Sequence, residues 1–256
     1  MTRAKQLRVL LLLLLLFPLV ILAFWERDQR PDWSETLIVG VYPYNADGST
    51  EVRRWLESLN SAHYDPVEYW LARQAGRHRL PLDPPFVIRK GPVLQRAPPL
   101  PPSRGGYWRK LKWAVNLRWW YWQLDIRELN PDIVIVARYS AQNGQGLDLH
   151  SIGMSSPRLG LISQSTGENA QDLNQVILAH ELLHTVNARD LYNSATGLPK
   201  FPEGYAQPGR TPRFPQPVAE IMAGRIPVKP DMAQQAQSLQ QCQIGRQTAR
   251  EIGWLQ

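Results

Sequence analysis

The sequence predicts an α+β chain: an N-terminal membrane anchor helix, then one domain with a mixed sheet and packed helices. Three observations carry that expectation. Residues 9–25 are 17 in a row without a charged side chain. Residues 36–42, 131–139 and 158–163 are rich in Val, Ile, Leu and Tyr, as buried strands are. The stretches around them repeat apolar residues three and four apart, which suits helices packed on a sheet. With 43% apolar and 20% charged residues, the composition excludes wholesale disorder and fibrous structure. The single cysteine, Cys242, excludes an intramolecular disulfide and any four-cysteine metal cluster.

Residues 1–8 form a basic stub carrying Arg3, Lys5 and Arg8. The apolar run 9–25 follows, with seven consecutive leucines from Leu10. Cations ahead of such a run are the layout of a signal peptide or a signal anchor. Its 17 residues are near the lower limit for crossing a bilayer. The best cleavage candidate, Ile21-Leu22-Ala23, is not a small-x-small site, which favours an uncleaved anchor. The cations then keep the N-terminus in the cytoplasm and put everything after Trp25 outside. Net charge is +7, yet beyond residue 25 there are 26 basic against 22 acidic residues, too mild a surplus to argue for nucleic acid.

Residues 26–35 read as a linker and 36–256 as one domain. After the first strand, Thr50 can cap a helix over 50–59 with Val52, Leu56 and Leu59 on one side. A second helix is expected over 65–75, with Val67, Trp70 and Leu71 as its stripe. Residues 81–102 hold eight prolines and leave room only for a short edge strand at 86–89. Residues 107–124 carry two apolar stripes on one helix: Trp108, Leu111, Val115, Trp119 and Trp122, then Trp113, Leu117, Trp120 and Tyr121. Either the helix packs on the sheet through a wide apolar face, or its surplus tryptophans and cations rest on a membrane surface. Strands follow at 131–139 and 158–163, separated by a polar, glycine-rich loop. A helix is expected from about 169–172 to 187, a second proline-rich loop over 198–230, and a last helix over 234–252.

One motif carries chemistry. His180-Glu181-x-x-His184 sits in the helix that ends near 187. Histidines four apart share a helix face, so both rings can reach one metal ion. Glu181, beside the first ligand, can take a proton from metal-bound water and pass it to a leaving amine. A catalytic zinc needs a third protein ligand and one open position. Asp190 stands six residues past His184, with Asn187 between them. Glu203 and Glu220 are rivals, although neither lies in a helical context. His150 reads as a loop residue.

This segment resembles the metzincin zinc peptidases, whose pattern is His-Glu-x-x-His-x-x-Gly-x-x-His or Asp. The resemblance implies that Asp190 is the third ligand, and that Met222, in Ala-Glu-Ile-Met-Ala-Gly, occupies the methionine turn of that family. Asn187 replaces the usual glycine, a tolerable change because asparagine enters the left-handed region readily. Tyr192 and Tyr205 are candidate oxyanion stabilisers, as a tyrosine is in some zinc peptidases. The specific resemblance covers about residues 176–224; the whole chain is also similar to membrane-anchored bacterial zinc proteins. It implies a Zn2+-dependent peptidase, single-pass in a bacterial inner membrane and facing outward, with peptides or proteins as substrates. The alternatives are a zinc amidase or hydrolase acting on cell-wall peptides, and a non-catalytic tethered scaffold with a structural metal.

Overall fold

The computed structural model describes residues 31–102, 106–126, 128–141, 152–155 and 158–255, together with Lys5, Arg8, Leu12 and Leu13. The chain divides into two compact units, residues 1–30 and 31–256. In the first, Leu12 and Leu13 are helical and exposed. The remainder of the expected anchor lies outside the described residues, as does His150. Among the described residues no helix is long and apolar enough to cross a membrane.

The second unit is α+β. It opens with β1 (Leu37–Asn45), then α1 (Thr50–Ser58), a 3-10 turn and α2 (Asp65–Arg77). The first helix is capped by Ser49, whose hydroxyl accepts from the Val52 N–H, one residue before the cap expected at Thr50. Pro66 in the first turn of α2 costs no hydrogen bond. Next come β2 (Phe86–Lys90), α3 (Tyr107–Trp122) and β3 (Ile133–Ser140). A four-residue strand, β4 (Ile152–Ser155), precedes β5 (Arg158–Ser165) and α4 (Glu168–Thr185). The sheet order is β2-β1-β3-β5-β4, parallel throughout except for β4, which runs antiparallel to β5 at the edge.

All eight residues of β3 are buried, as a central parallel strand requires. Its side chains alternate between two cores. Ile133, Ile135, Ala137 and Tyr139 join Val52, Leu56, Val67, Leu71, Leu178 and Leu182 from α1, α2 and α4. Val134 and Val136 face the other way, toward Leu117 and Trp120 of α3. The result is a three-layer sandwich with α4 on the broader core.

Two expectations are corrected here. The loop expected between β3 and β5 contains the strand β4. The helix expected over 234–252 shrinks to α5 (Arg246–Glu251). Before it come β6 (Ala219–Glu220), β7 (Arg225–Lys229), β8 (Met232–Gln235) and β9 (Cys242–Gln243). Tertiary pairing overrides helix propensity in this glutamine-rich run: β8 pairs with β7, and β9 runs parallel to β6.

The C-terminal segment folds around one carboxylate. Glu220 is fully buried. Its Oε2 accepts from the N–H groups of Met222 (2.7 Å) and Ala223 (3.1 Å). Its Oε1 accepts from the Gly245 N–H (3.1 Å) and the Thr248 hydroxyl (2.6 Å). Burial pushes this carboxyl up to about 7 despite those donors, from an ordinary value of 4.5. The native state therefore keeps a proton that the unfolded chain releases above about pH 4.5. That contribution to stability is complete below about pH 4.5 and is lost as pH rises through about 7, about 3 kcal/mol in all. Glu220→Gln cannot accept on its amide nitrogen, so we expect it to lose about 1–3 kcal/mol at low pH. Its stability should also vary less with pH over this interval than the parent's. Thermal denaturation of the chelator-treated chain across that range checks both.

Candidate metal centre

The buried face of α4 is built from Val176, Leu178, Ala179, Leu182 and Leu183. Packing that face on the sheet sets the rotation of the helix, and with it the direction of His180 and His184 at its C-terminal end. The helix stops in two turn hydrogen bonds, Asn187 N–H to the His184 carbonyl (3.2 Å) and Ala188 N–H to the Leu183 carbonyl (3.1 Å). This closure needs a left-handed residue, and Asn187 supplies it at φ 82°. The chain then doubles back and brings Asp190 to the histidines.

Three donor atoms converge. His180 Nε2 and His184 Nε2 are 3.1 Å apart. Asp190 Oδ1 lies 3.3 Å from the first and 3.2 Å from the second. A tetrahedral ion about 2.0–2.1 Å from each ligand spaces them about 3.3–3.4 Å apart, so this triangle already has close to the dimensions zinc requires. Both imidazoles are oriented through their other nitrogen. His180 Nδ1 meets the Ile221 carbonyl at 2.9 Å and His184 Nδ1 the Ala188 carbonyl at 2.8 Å. With a metal bound the proton stays on Nδ1 and each ring turns a lone pair on Nε2 toward the centre; without one, Nε2 can carry a proton and donate to Asp190.

Glu181 completes the group: its carboxylate and the two ring nitrogens lie within 4.8 Å of one another. It is buried, and its Oε2 has no hydrogen-bond partner among the described residues. A buried carboxylate oxygen without a donor is costly unless something supplies one. A water held by an ion at the triangle would do so, which is the observation that fits this residue set to a metal. Burial raises the Glu181 carboxyl, His180 and His184 oppose the rise, and Asp190 reinforces it. At Asp190 burial works upward, but the hydrogen bonds from His180 and His184 win and hold its carboxyl well below the usual range. Burial lowers His180, and the hydrogen bond to Asp190 with the nearby Glu181 charge more than offsets it.

The edge strand β4 presses on the motif. A Cβ on Gly153 would lie 2.4 Å from both the Glu181 carbonyl oxygen and the His184 Cβ, so glycine alone allows this approach. The Gly153 N–H in return donates to the Glu181 carboxylate. Asp190 is also held from both sides. Arg189 donates to Glu251 of α5 from its backbone N–H (2.9 Å), Nε (3.0 Å) and a terminal nitrogen (2.6 Å). Leu191 N–H donates to the Met222 carbonyl at 3.0 Å.

The other sequence candidates fall into place differently. Met222 is fully buried in a tight turn closed by Gly224 at φ 67°. Burial and the neighbouring Asp190 carboxylate raise the Tyr192 hydroxyl above its usual range, so it stays protonated beside the site. The ring of Tyr205 is buried against Phe201 (5.2 Å) and Phe214 (6.0 Å), as a packing residue's is. The four contacts on Glu220 hold the turn, and Glu203 is exposed. Sequence reasoning missed Gly153, Arg189 and Glu251. An isolated glycine between Ile152 and Met154 was the one available signal. No family model matches the chain, and no curated protein compared with it is significantly similar.

Asp190→Ala removes one corner of the triangle and leaves α4 intact. We expect zinc affinity to fall by more than the 10–100-fold typical of residues behind the ligands. Glu220→Gln acts only through the turn that orients His180, so its loss of affinity should stay within that range and accompany a loss of stability. Competition titration with a chromogenic chelator measures the first quantity and denaturation the second.

Proposed function

We propose that the chain is a membrane-anchored, zinc-dependent metallopeptidase that hydrolyses peptide bonds outside the cytoplasm. One observation carries this reading: three ligand atoms 3.1–3.3 Å apart stand beside a buried, unpartnered Glu181 oxygen. A structural zinc would close its shell with four protein ligands and has no use for such an acid. His180, His184 and Asp190 make three, and Asp190 is partly open to solvent. That counts against the scaffold alternative. The left-handed turn at Asn187 returns Asp190 to the histidines, and the buried turn around Met222 carries the Ile221 carbonyl that holds His180.

Zinc, when bound, supplies a Lewis acid for the scissile carbonyl and lowers the pKa of the attacking water to about 7. His180, His184 and Asp190 hold it, with the histidines fixed by Ile221 and Ala188. Glu181 takes the proton from the water and later passes it to the leaving nitrogen. Burial raises its carboxyl, the direction a base working near neutral pH needs. The Gly153 N–H keeps that carboxylate on the site. The edge strand β4 suits a peptide substrate, because an extended chain can add to a sheet edge by backbone hydrogen bonds.

Glu181→Gln keeps the shape and removes the base. Zinc content and folding should match the parent's, while cleavage of a diverse peptide library, read by mass spectrometry, falls by about 10²–10⁴. Cleavage at the parental rate would defeat the mechanism, and a folded, zinc-loaded parent that cleaves nothing would defeat the general peptidase reading. The anchor has its own test. A reporter fused after Gln256 should be active only outside the cytoplasm, with the protein in the membrane fraction.

A further inference from the structure

Helix α3 meets the sheet with only one of its two apolar stripes. Leu117 and Trp120 are buried against Tyr42, Val134, Val136, Leu159 and Leu161, with Trp113 and Tyr121 partly buried beside them. The Trp113 indole N–H donates to the Pro99 carbonyl at 3.0 Å and fixes the rotation of the helix. The other stripe, Trp108, Leu111, Val115, Trp119 and Trp122, spans an arc of about 80° at 3.6 residues per turn and points away from the sheet. Its three tryptophans are 77%, 64% and 75% exposed. An aqueous surface gains nothing from such a row, and large exposed apolar patches mark interaction sites.

We propose that this stripe of α3 docks on an anionic lipid surface. Charge selects the occupant. The helix carries Arg109, Lys110, Lys112 and Arg118 and no carboxylate; Asp125 and Glu128 come only after its last residue. Lys110 and Lys112 are exposed. Lys112 and Arg118 flank the stripe on either side, so two copies stacked through this face would bring like charges together, whereas phosphate headgroups attract them. Tryptophan adds a second reason: its ring is apolar and its N–H polar, so it settles at the boundary between acyl chains and headgroups. The anchor reading contributes a third argument and is assumed only for it. Residues 26–30, between the apolar run and the second unit, reach at most about 18 Å when fully extended, so a domain tethered through them stays within reach of the bilayer.

A label on the helix itself tests this. Trp119→Cys in the full-length chain introduces an exposed thiol for a nitroxide. Cys242 does not compete, being buried, with its thiol pushed up to about 12 by burial. A control label at Glu57→Cys, exposed on α1 across the sheet, stays in water. The chain is reconstituted into vesicles of phosphatidylcholine alone, or of equal parts phosphatidylcholine and phosphatidylglycerol. We expect the label at 119 to become oxygen-accessible and shielded from a water-soluble nickel relaxant in the anionic vesicles, while the label at 57 does not. Lys112→Gln, which removes the lysine flanking the stripe, should lower the ratio of docked to free signal about fivefold, the worth of one cation near an anionic surface. A label at 119 that stays as wet as the one at 57 overturns the proposal. So does docking of equal strength in zwitterionic vesicles, or spin–spin broadening at 119 that reveals a second copy on the stripe. Whether the chain sediments with vesicles at all reports on the anchor, and neither readout involves zinc.

Discussion

The buried carboxylate of Glu220 holds the site together from behind. Its two oxygens take donors from the turn at Met222 and Ala223 and from Gly245 and Thr248 at the start of α5. The turn is therefore fixed to the last helix through hydrogen bonds to one buried carboxyl group as well as by its own short backbone contacts. Two carbonyls of that turn then act on the site. Ile221 holds the ring of His180, and Met222 receives the N–H of Leu191, the residue after Asp190. One buried carboxyl group thus positions two corners of the donor triangle that lie ten residues apart in the chain.

The third corner needs no such support from a distance. His184 is oriented by the Ala188 carbonyl, four residues along, and that carbonyl is presented by the left-handed turn at Asn187. The same turn reverses the chain so that Asp190 can return. Asparagine pays a small strain for φ 82° where glycine would pay none, and it keeps a side chain that limits the alternatives open to the unfolded loop. Arg189 then clamps the returning strand to Glu251 of α5. Because α5 also supplies Thr248 to Glu220, the C-terminal helix braces both ends of the loop that carries the third donor.

Much of this was legible in the sequence where the signal is local. The spacing of His180 and His184 is a property of one helix, and the Asn187 turn follows from what asparagine can adopt. The strands β1, β3 and β5 announce themselves by burial on both faces. Signals that depend on distant partners were not legible. Residues 234–252 have helix-forming composition, and only the pairing of Met232–Gln235 with β7 and of Cys242–Gln243 with β6 makes most of them non-helical. The strand β4 is four residues long in a glycine-rich stretch, too short to leave a period. Gly153 matters because of what lies 2.4 Å from its missing Cβ, which no pattern in its own neighbourhood records.

The two faces of the sheet solve different problems with the same material. On the α4 side the apolar stripes of α1, α2 and α4 find partners in one face of β3. Glu181 is buried there with one oxygen unpartnered among the described residues, and it sits where an ion's water would complete it. On the α3 side the helix has more tryptophan than the sheet can cover. Tyr42, Val134, Val136, Leu159 and Leu161 offer one row of apolar side chains, and a single stripe of α3 fills it. A stripe left over in a helix without carboxylates cannot be answered by rotating the helix, since that would expose Leu117 and Trp120 in exchange. The surplus is therefore built into the packing, and an apolar surface outside the domain is the remaining way to cover it.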